Sequence, residues 1–208
     1  MKPPRAFYDR PTLDVARDLL GLVLVHNRRG IVTSGVIVEV EAYIGESDPA
    51  CHAAPGPTRR NEPLYGTPGH AYVYLNYGIH CLVNVVTESH GSPAAVLIRA
   101  LDPLDGIAVM RRRRARTMKG RRRRADAASL PAHDLCRGPG NLTMAMGITL
   151  EENRLDLTGD RLFVEDRRLE RGPIAWGPRI GIRVGMETPW RAWIAGHPAV
   201  SAHQRDQR

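Results

Sequence analysis

The chain has 208 residues, 42% of them hydrophobic, and carries 30 basic against 22 acidic side chains for a formal net charge of +8. This suits one domain with a real core, because no Ser/Gly linker divides it and no apolar run approaches the ~20 residues that span a bilayer. The three scattered cysteines, Cys51, Cys81 and Cys136, lack C-x-x-C spacing and argue against a disulfide framework.

The N-terminal Met1-Lys2-Pro3-Pro4-Arg5 leads into no apolar h-region, so no secretory signal and a cytoplasmic location are expected. Residues 11–21 read as a short helix, with Leu13, Ala16, Leu19 and Leu20 on one face and Gly21 as its stop. A strand at 22–26 and a turn at 27–30 follow. Residues 31–44 then form a longer strand, or a strand pair broken near Ser34-Gly35. In this stretch Val36, Val38, Val40, Ala42 and Ile44 alternate with Ile37, Glu39, Glu41 and Tyr43. The first set should pack on a core. The second sets two carboxylates and a tyrosine in a row, roughly 7 Å apart at ~3.3 Å per residue. Like charges there repel unless solvent or a partner offsets them. Such a row reads either as a solvated face or as an acid/base carboxylate beside a stacking ring.

Residues 45–69 hold Pro49, Pro55, Pro57, Pro63 and Pro68 without any period, which marks a functional or disordered loop. Cys51-His52 in this loop and His80-Cys81 further on lack zinc-ligand spacing, so no metal is expected. Residues 71–75 and 79–87 alternate as two strands around the turn Asn76-Tyr77-Gly78, a hairpin with Tyr77 at its tip. A ring at that position either lies back on the sheet or projects toward a partner. Residues 94–101 form an apolar strand interrupted by Arg99, a charge that needs a paired carboxylate or a wet cleft. A helix from Asp102-Pro103 through Met110 runs into residues 111–124, which hold ten basic side chains and no acid. Without that run the chain has 20 basic against 22 acidic residues, so the surplus charge is local. The run, and the chain on to about residue 132, should be weakly ordered and either bind nucleic acid electrostatically or form a solvated loop. Gly138-Pro139-Gly140 precedes a helix at 142–146, as a phosphate-binding entry or an ordinary tight one. Short strands are expected at 161–165, 179–182 and 190–194, with a frayed tail at 203–208.

Several of these residues recur together in a recognisable order. They are Phe7-Tyr8-Asp9-Arg10-Pro11, Val38-Glu39-Val40-Glu41-Ala42-Tyr43-Ile44-Gly45, Ala50-Cys51-His52, Arg60-Asn61, Gly69-His70-Ala71-Tyr72-Val73-Tyr74 through Tyr77-Gly78, Asn84, Leu97-Ile98-Arg99-Ala100-Leu101 and Cys136-Arg137-Gly138-Pro139-Gly140. The set closely resembles the 3-methyladenine DNA glycosylases of the alkyladenine (methylpurine) type, from Phe7 to about Ser201, nearly the whole chain. The resemblance implies a mixed α/β (α+β), β-dominated fold in a single compact domain over residues 1–208. A curved, mostly antiparallel sheet would be flanked by helices, with a protruding β-hairpin entering the DNA minor groove. It implies a monomeric, monofunctional DNA glycosylase of base excision repair, without cofactor or metal, that acts on double-stranded DNA containing damaged purines.

A stacked purine cannot be attacked, so such enzymes flip it into a pocket. The resemblance assigns Tyr77 to filling the gap left in the stack. It assigns Tyr43, with His52 and Tyr74 opposite, to sandwiching the base, where an electron-poor alkylated purine stacks better than a normal one. Glu41 matches the carboxylate that activates water for attack at C1′ and steadies the oxocarbenium-like sugar. Arg99 matches the residue that helps hold this water and balances Glu41. The backbone carbonyl near Ile180 matches the water's third partner. Asn84 matches the floor residue that disfavours the exocyclic amine of normal guanine. Arg60, Gly138 and Gly140 fall at DNA-backbone positions.

The chain departs from the pattern at Asn141, where a lysine is expected, at Leu64-Tyr65 in place of a Met-Phe pair, and in its longer basic run. No lysine nucleophile stands near the pocket residues, so no Schiff-base lyase step is implied. The resemblance does not rank 3-methyladenine, 7-methylguanine, hypoxanthine and ethenoadenine. A non-catalytic nucleic-acid-binding module on the same fold is the rival reading, and it would not need Glu41 and Arg99. A helix-hairpin-helix glycosylase, suggested by Gly138-Pro139-Gly140, would need an all-helical pattern that the chain lacks.

Overall fold

The computed structural model describes residues 1–117 and 129–201. Two short helices, α1 (Arg5–Tyr8) and α2 (Thr12–Leu19), precede a hairpin of β1 (Val23–Arg28) and β2 (Ile31–Ile44). The long loop that follows contains one 3-10 turn, Glu62–Tyr65. Then come β3 (Ala71–Asn76), β4 (His80–Val86), β5 (Ala94–Pro103), α3 (Ile107–Thr117), α4 (Pro139–Met146), β6 (Leu162–Glu165), β7 (Ile174–Gly177) and β8 (Arg191–Ile194).

The eight strands make one sheet in the order β3-β4-β5-β2-β1-β6, with β8 pairing both β2 and β7. Every one of these pairs is antiparallel, and the sheet curls into a half-barrel. β2 is the spine. Its 14 residues pair with β5 along one side, and with β1 and then β8 along the other.

β2 is not broken at Ser34-Gly35. Gly35 serves a close approach instead, since a Cβ there would stand 2.8 Å from the Asp102 carbonyl oxygen of β5. The turn after β1 is also tighter than the sequence suggests. It closes on Arg29 and Gly30, both at positive φ (54° and 79°), a two-residue connection whose twist matches the strands it joins. The β2–β5 register shifts twice. Ile37 opposes Leu101, Glu39 opposes Ala100 and Val40 opposes Ile98, so Val38 is the extra residue on β2 and Arg99 the extra residue on β5. The two bulges cancel, and beyond them the strands are back in step. A bulge bends its strand and re-aims a side chain. Here it does so at Arg99, the charge within the apolar stretch 94–101.

The core lies between one face of the sheet and the helices. It joins Tyr8, Val15 and Leu19 to Ile37, Val40 and Ile98 of the central strands and to Met110, Leu142 and Met146 of α3 and α4. Each fully buried Leu or Ile contributes ~1.5–3 kcal/mol. Because Ile37 joins Val38 and Val40 in this core, the simple alternation expected along β2 fails at the bulge. Residues 179–182 are not a strand; β7 forms earlier, at a segment the sequence reading passed over. The loop at 45–69 is organised by buried polar groups. The Asn61 side-chain amide donates to the carbonyls of His52 (2.7 Å) and Gly56 (2.9 Å) while its oxygen accepts from the Thr58 amide (2.6 Å).

The basic run is the largest correction. β5 continues to Pro103, and α3 begins only at Ile107 and carries Arg111 to Arg116 in ordered helix. Arg114 is buried and donates to the carbonyl of Leu135 at 2.5 Å, with that of Asp134 at 3.3 Å. Arg113 donates to the carbonyls of Ala145 (3.1 Å) and Met146 (2.6 Å), the negative end of α4. Gly147 makes room for it, since a Cβ there would stand 2.7 Å from the guanidinium carbon. Arg113 and Arg114 of the run are therefore structural. The rest of the run, with residues 118–128 as a whole, and the tail from 202 lie outside the described residues. Arg114→Met should lower stability by ~1–3 kcal/mol, because the buried carbonyls it serves lose their donor. A urea titration should show a lower midpoint with an unchanged slope.

Candidate active site

One row of directly opposed residues crosses five strands: Tyr72 of β3, Asn84 of β4, Leu97 of β5, Glu41 of β2 and Arg191 of β8. Cross-strand partners share a face. The sheet thus gathers residues far apart in the chain onto the face opposite the main core. The carboxylates of that face are not solvated, as Glu39 and Glu41 are both fully buried.

Glu41 meets three donors. Its Oε1 accepts a 2.7 Å hydrogen bond from the Ile180 backbone N–H and lies 3.1 Å from Arg99 Nη1. Its Oε2 accepts a 2.8 Å bond from the Tyr43 hydroxyl. An acceptor of three donors, one of them cationic, has the bonding pattern of a carboxylate. Burial, then the Glu41 charge, push the Tyr43 phenol far above its usual pKa, so it stays a donor. Burial pulls the Arg99 guanidinium down, but Glu41 and Glu39 together outweigh it and raise its pKa. At Ile180 the group that touches Glu41 is the backbone amide N–H.

Glu39 was not singled out from the sequence as a site residue. Its Oε1 accepts from Arg99 Nε (3.2 Å) and Arg191 Nη1 (3.0 Å), and its Oε2 accepts from the Ser201 backbone N–H (2.8 Å). Arg191 Nε in turn donates to the Pro178 carbonyl at 2.9 Å. A second buried pair stands nearby. Arg179 grips Asp48 with two bonds of 2.6 and 2.9 Å and donates to the Ala42 carbonyl at 3.1 Å. Its guanidinium lies 4.7 Å from the centre of the Tyr43 ring and 5.1 Å from that of Trp190. Asp48 sits in the long proline-rich loop and Arg179 next to Ile180, so this pair ties together two segments that lack strands of their own.

Above this network lies a cavity of about 420 Å³. Tyr43, His52, Tyr74, Asn84, Arg99 and Ile180, all expected from the sequence, line it. Glu41 lies just beneath, with each of its three partners on the wall. The His52 ring centre is 4.4 Å from that of Tyr74, inclined at 63°. Its Nδ1 is 2.9 Å from the hydroxyl of Tyr72, which was not anticipated on the wall although it shares a face of β3 with Tyr74. Burial, then the Arg60 charge, lower the His52 pKa and favour the neutral ring. The Asn84 amide is fixed by donation to the Tyr72 carbonyl at 3.0 Å. Of Leu64-Tyr65 only Leu64 lines the cavity, whereas the Tyr65 hydroxyl turns to Glu46 at 2.8 Å.

Tyr77 stands at the hairpin tip and at the cavity rim, 87% exposed and at φ 49°. Arg60 is exposed near Tyr74, its guanidinium carbon 5.7 Å from the ring centre. Gly138, at φ 87°, is the residue before α4. Gly140 lies in the first turn of α4 and has a packing reason to be glycine, because a Cβ would approach the His80 ring to 2.9 Å. Asn141 uses its amide to donate to the Arg137 carbonyl at 2.7 Å.

The model of the methylpurine-DNA glycosylase family matches residues 6–198. The chain belongs to the methylpurine-DNA glycosylase family. Among curated relatives, a protein of Clostridium acetobutylicum named "Putative 3-methyladenine DNA glycosylase" is 44% identical over 210 aligned positions, covering 99% of this chain and all of the relative. Proteins of the same name from Methanocella arvoryzae and Bacillus cereus are 46% and 45% identical, covering 95% and 97% of this chain and 94% and 99% of their own lengths. In this methylpurine-DNA glycosylase family member, Arg179→Met should leave Asp48 buried and unpaired and cost ~3–5 kcal/mol. Thermal melts of the variant beside Asp48→Asn and the double substitution should show the pair coupled, the double variant being less destabilised than the singles predict.

Proposed function

We propose that the protein flips alkylated or deaminated purines out of double-stranded DNA and hydrolyses their N-glycosidic bond, as a monofunctional and monomeric glycosylase. The observation that carries the reading is Glu41, a buried carboxylate with three donors directly beneath an aromatic-walled cavity. A binding module gains nothing from such a group, whose burial is costly unless it is paired.

The bonding of Glu41 suggests which atom acts. Oε1 faces two donors and Oε2 one, so Oε2 keeps a lone pair for water. Oε2 takes a proton from that water as its oxygen bonds to C1′. The C1′–N bond breaks, and its electron pair leaves with the base. The carboxylate also faces the positive charge that develops on the sugar. In this reading Arg99, on the cavity wall, contacts the same water while holding Oε1.

Tyr43, His52 and Tyr74 offer rings to a flipped purine, and a neutral His52 does not repel a cationic alkylated base. Asn84, its amide pinned to β3, disfavours the 2-amino group of normal guanine. Tyr77 projects where it could fill the vacated stack. Arg60 and the backbone around Gly138 and Gly140 meet phosphates. No helix among the described residues is long and apolar enough to cross a membrane, and work on chromosomal DNA suits the cytoplasm.

Glu41→Gln should bind a lesion duplex like the parent but lose at least ~10²-fold in single-turnover base release, the lower range for a positioned base. Tyr77→Ala should keep its melting temperature, because the ring is exposed, and should lose extrusion. A fluorescent base analogue at the target site would then stay quenched on binding, whereas with the parent it brightens.

A further inference from the structure

Glu39 is a buried carboxylate for which the reaction above has no use. Its contacts converge on Glu41 by two routes. The first is direct. Glu39 Oε1 holds Arg99 by Nε at 3.2 Å, which presents Nη1 of the same guanidinium to Glu41 Oε1 at 3.1 Å. The second passes through the backbone. Glu39 Oε1 holds Arg191 at 3.0 Å, Arg191 Nε holds the Pro178 carbonyl at 2.9 Å, and two residues on, the Ile180 N–H donates to Glu41 Oε1 at 2.7 Å. Both donors on Oε1 therefore depend on one atom of Glu39. The charges balance as well, since two glutamates face two arginines.

We infer that Glu39 is a positioning residue of the glycosylase reaction, holding Arg99 and the Ile180 amide on Glu41 Oε1 so that Oε2 stays open to water. The inference rests on reading Glu41 as the base. Without Glu39, the Arg99 guanidinium would have Glu41 as its one carboxylate partner among the contacts described above. It would then be free to take both of the Glu41 oxygens, as guanidinium forks do. The Pro178–Ile180 segment would also lose its tether to the sheet through Arg191.

The test is single-turnover base release and lesion-duplex affinity for Glu39→Gln and Glu41→Gln, with a pH–rate profile for each active form. The groups facing Glu41 are Tyr43 and Glu39 on its own strand, Arg99 on β5, Arg191 on β8, Tyr74 on β3, and Arg179 with the Ile180 amide on the 178–180 segment. Neutralising Glu39 leaves these surroundings one charge more positive and favours ionised Glu41. The acid limb of the Glu39→Gln profile should therefore move to lower pH. Its plateau rate should fall roughly 10- to 100-fold, the scale of a small misplacement of a reacting group, with affinity within about twofold of the parent.

A parental rate and an unmoved limb in Glu39→Gln, with Glu41→Gln inactive, would overturn the role of Glu39 alone. So would parallel losses of rate and affinity with no shift of the limb, which mark a merely structural residue. A fully active Glu41→Gln would overturn the base assignment and this inference with it. If Glu39→Gln does not fold, Arg191→Gln decides. That variant cuts the second route while sparing the Glu39–Arg99 bond, and a lower rate at parental affinity supports the inference while a parental rate overturns it.

Discussion

The site depends on holding two like charges inside the protein. Glu39 and Glu41 are two residues apart on one strand face and fully buried. The carboxylates repel each other, and each costs several kcal/mol to desolvate unless paired. Neighbouring strands supply the compensation: Arg99 from β5 and Arg191 from β8, with backbone amides from Ile180 and Ser201. The sheet order follows the same need. β2 must have β5 on one side and β8 on the other for both arginines to arrive, and the paired bulges let Arg99 reach both carboxylates without throwing the rest of the register out.

Much of this was legible in the sequence because it is local. Alternation along a strand showed that Glu39, Glu41 and Tyr43 share a face, and an apolar strand with one arginine announced a partner for Arg99. Turn chemistry put Tyr77 at a hairpin tip, where it stands. The resemblance to a known family then ordered these fragments, and the cavity brings together Tyr43, His52, Tyr74, Asn84, Arg99 and Ile180, which it named in several roles.

What was not legible is non-local. The row left a solvated face open as a reading because nothing within a few residues of Glu39 neutralises it, and Arg191 lies 152 positions further along. The Asp48–Arg179 pair links two segments without periodicity, so no pattern connects its halves. Bulges leave no mark in composition, and the alternation rule therefore misplaced Ile37. The basic run misled for another reason. A guanidinium can donate to main-chain carbonyls, and α3 uses Arg113 and Arg114 in this way, which composition cannot distinguish from a solvated charge.

The bond from Ser201 to Glu39 has the main chain as its donor, and the Ser201 hydroxyl itself finds no partner among the described residues. The hydrogen bond itself therefore asks nothing of the side chain at this position beyond excluding proline, which has no N–H. The requirement falls on chain path: the backbone must return from β8 to the flank of the central strand at this depth. A chain ending before residue 201 would keep every wall residue of the cavity and still leave a buried carboxylate one donor short. Chemistry written around residue 40 thus sets how far the polypeptide must extend.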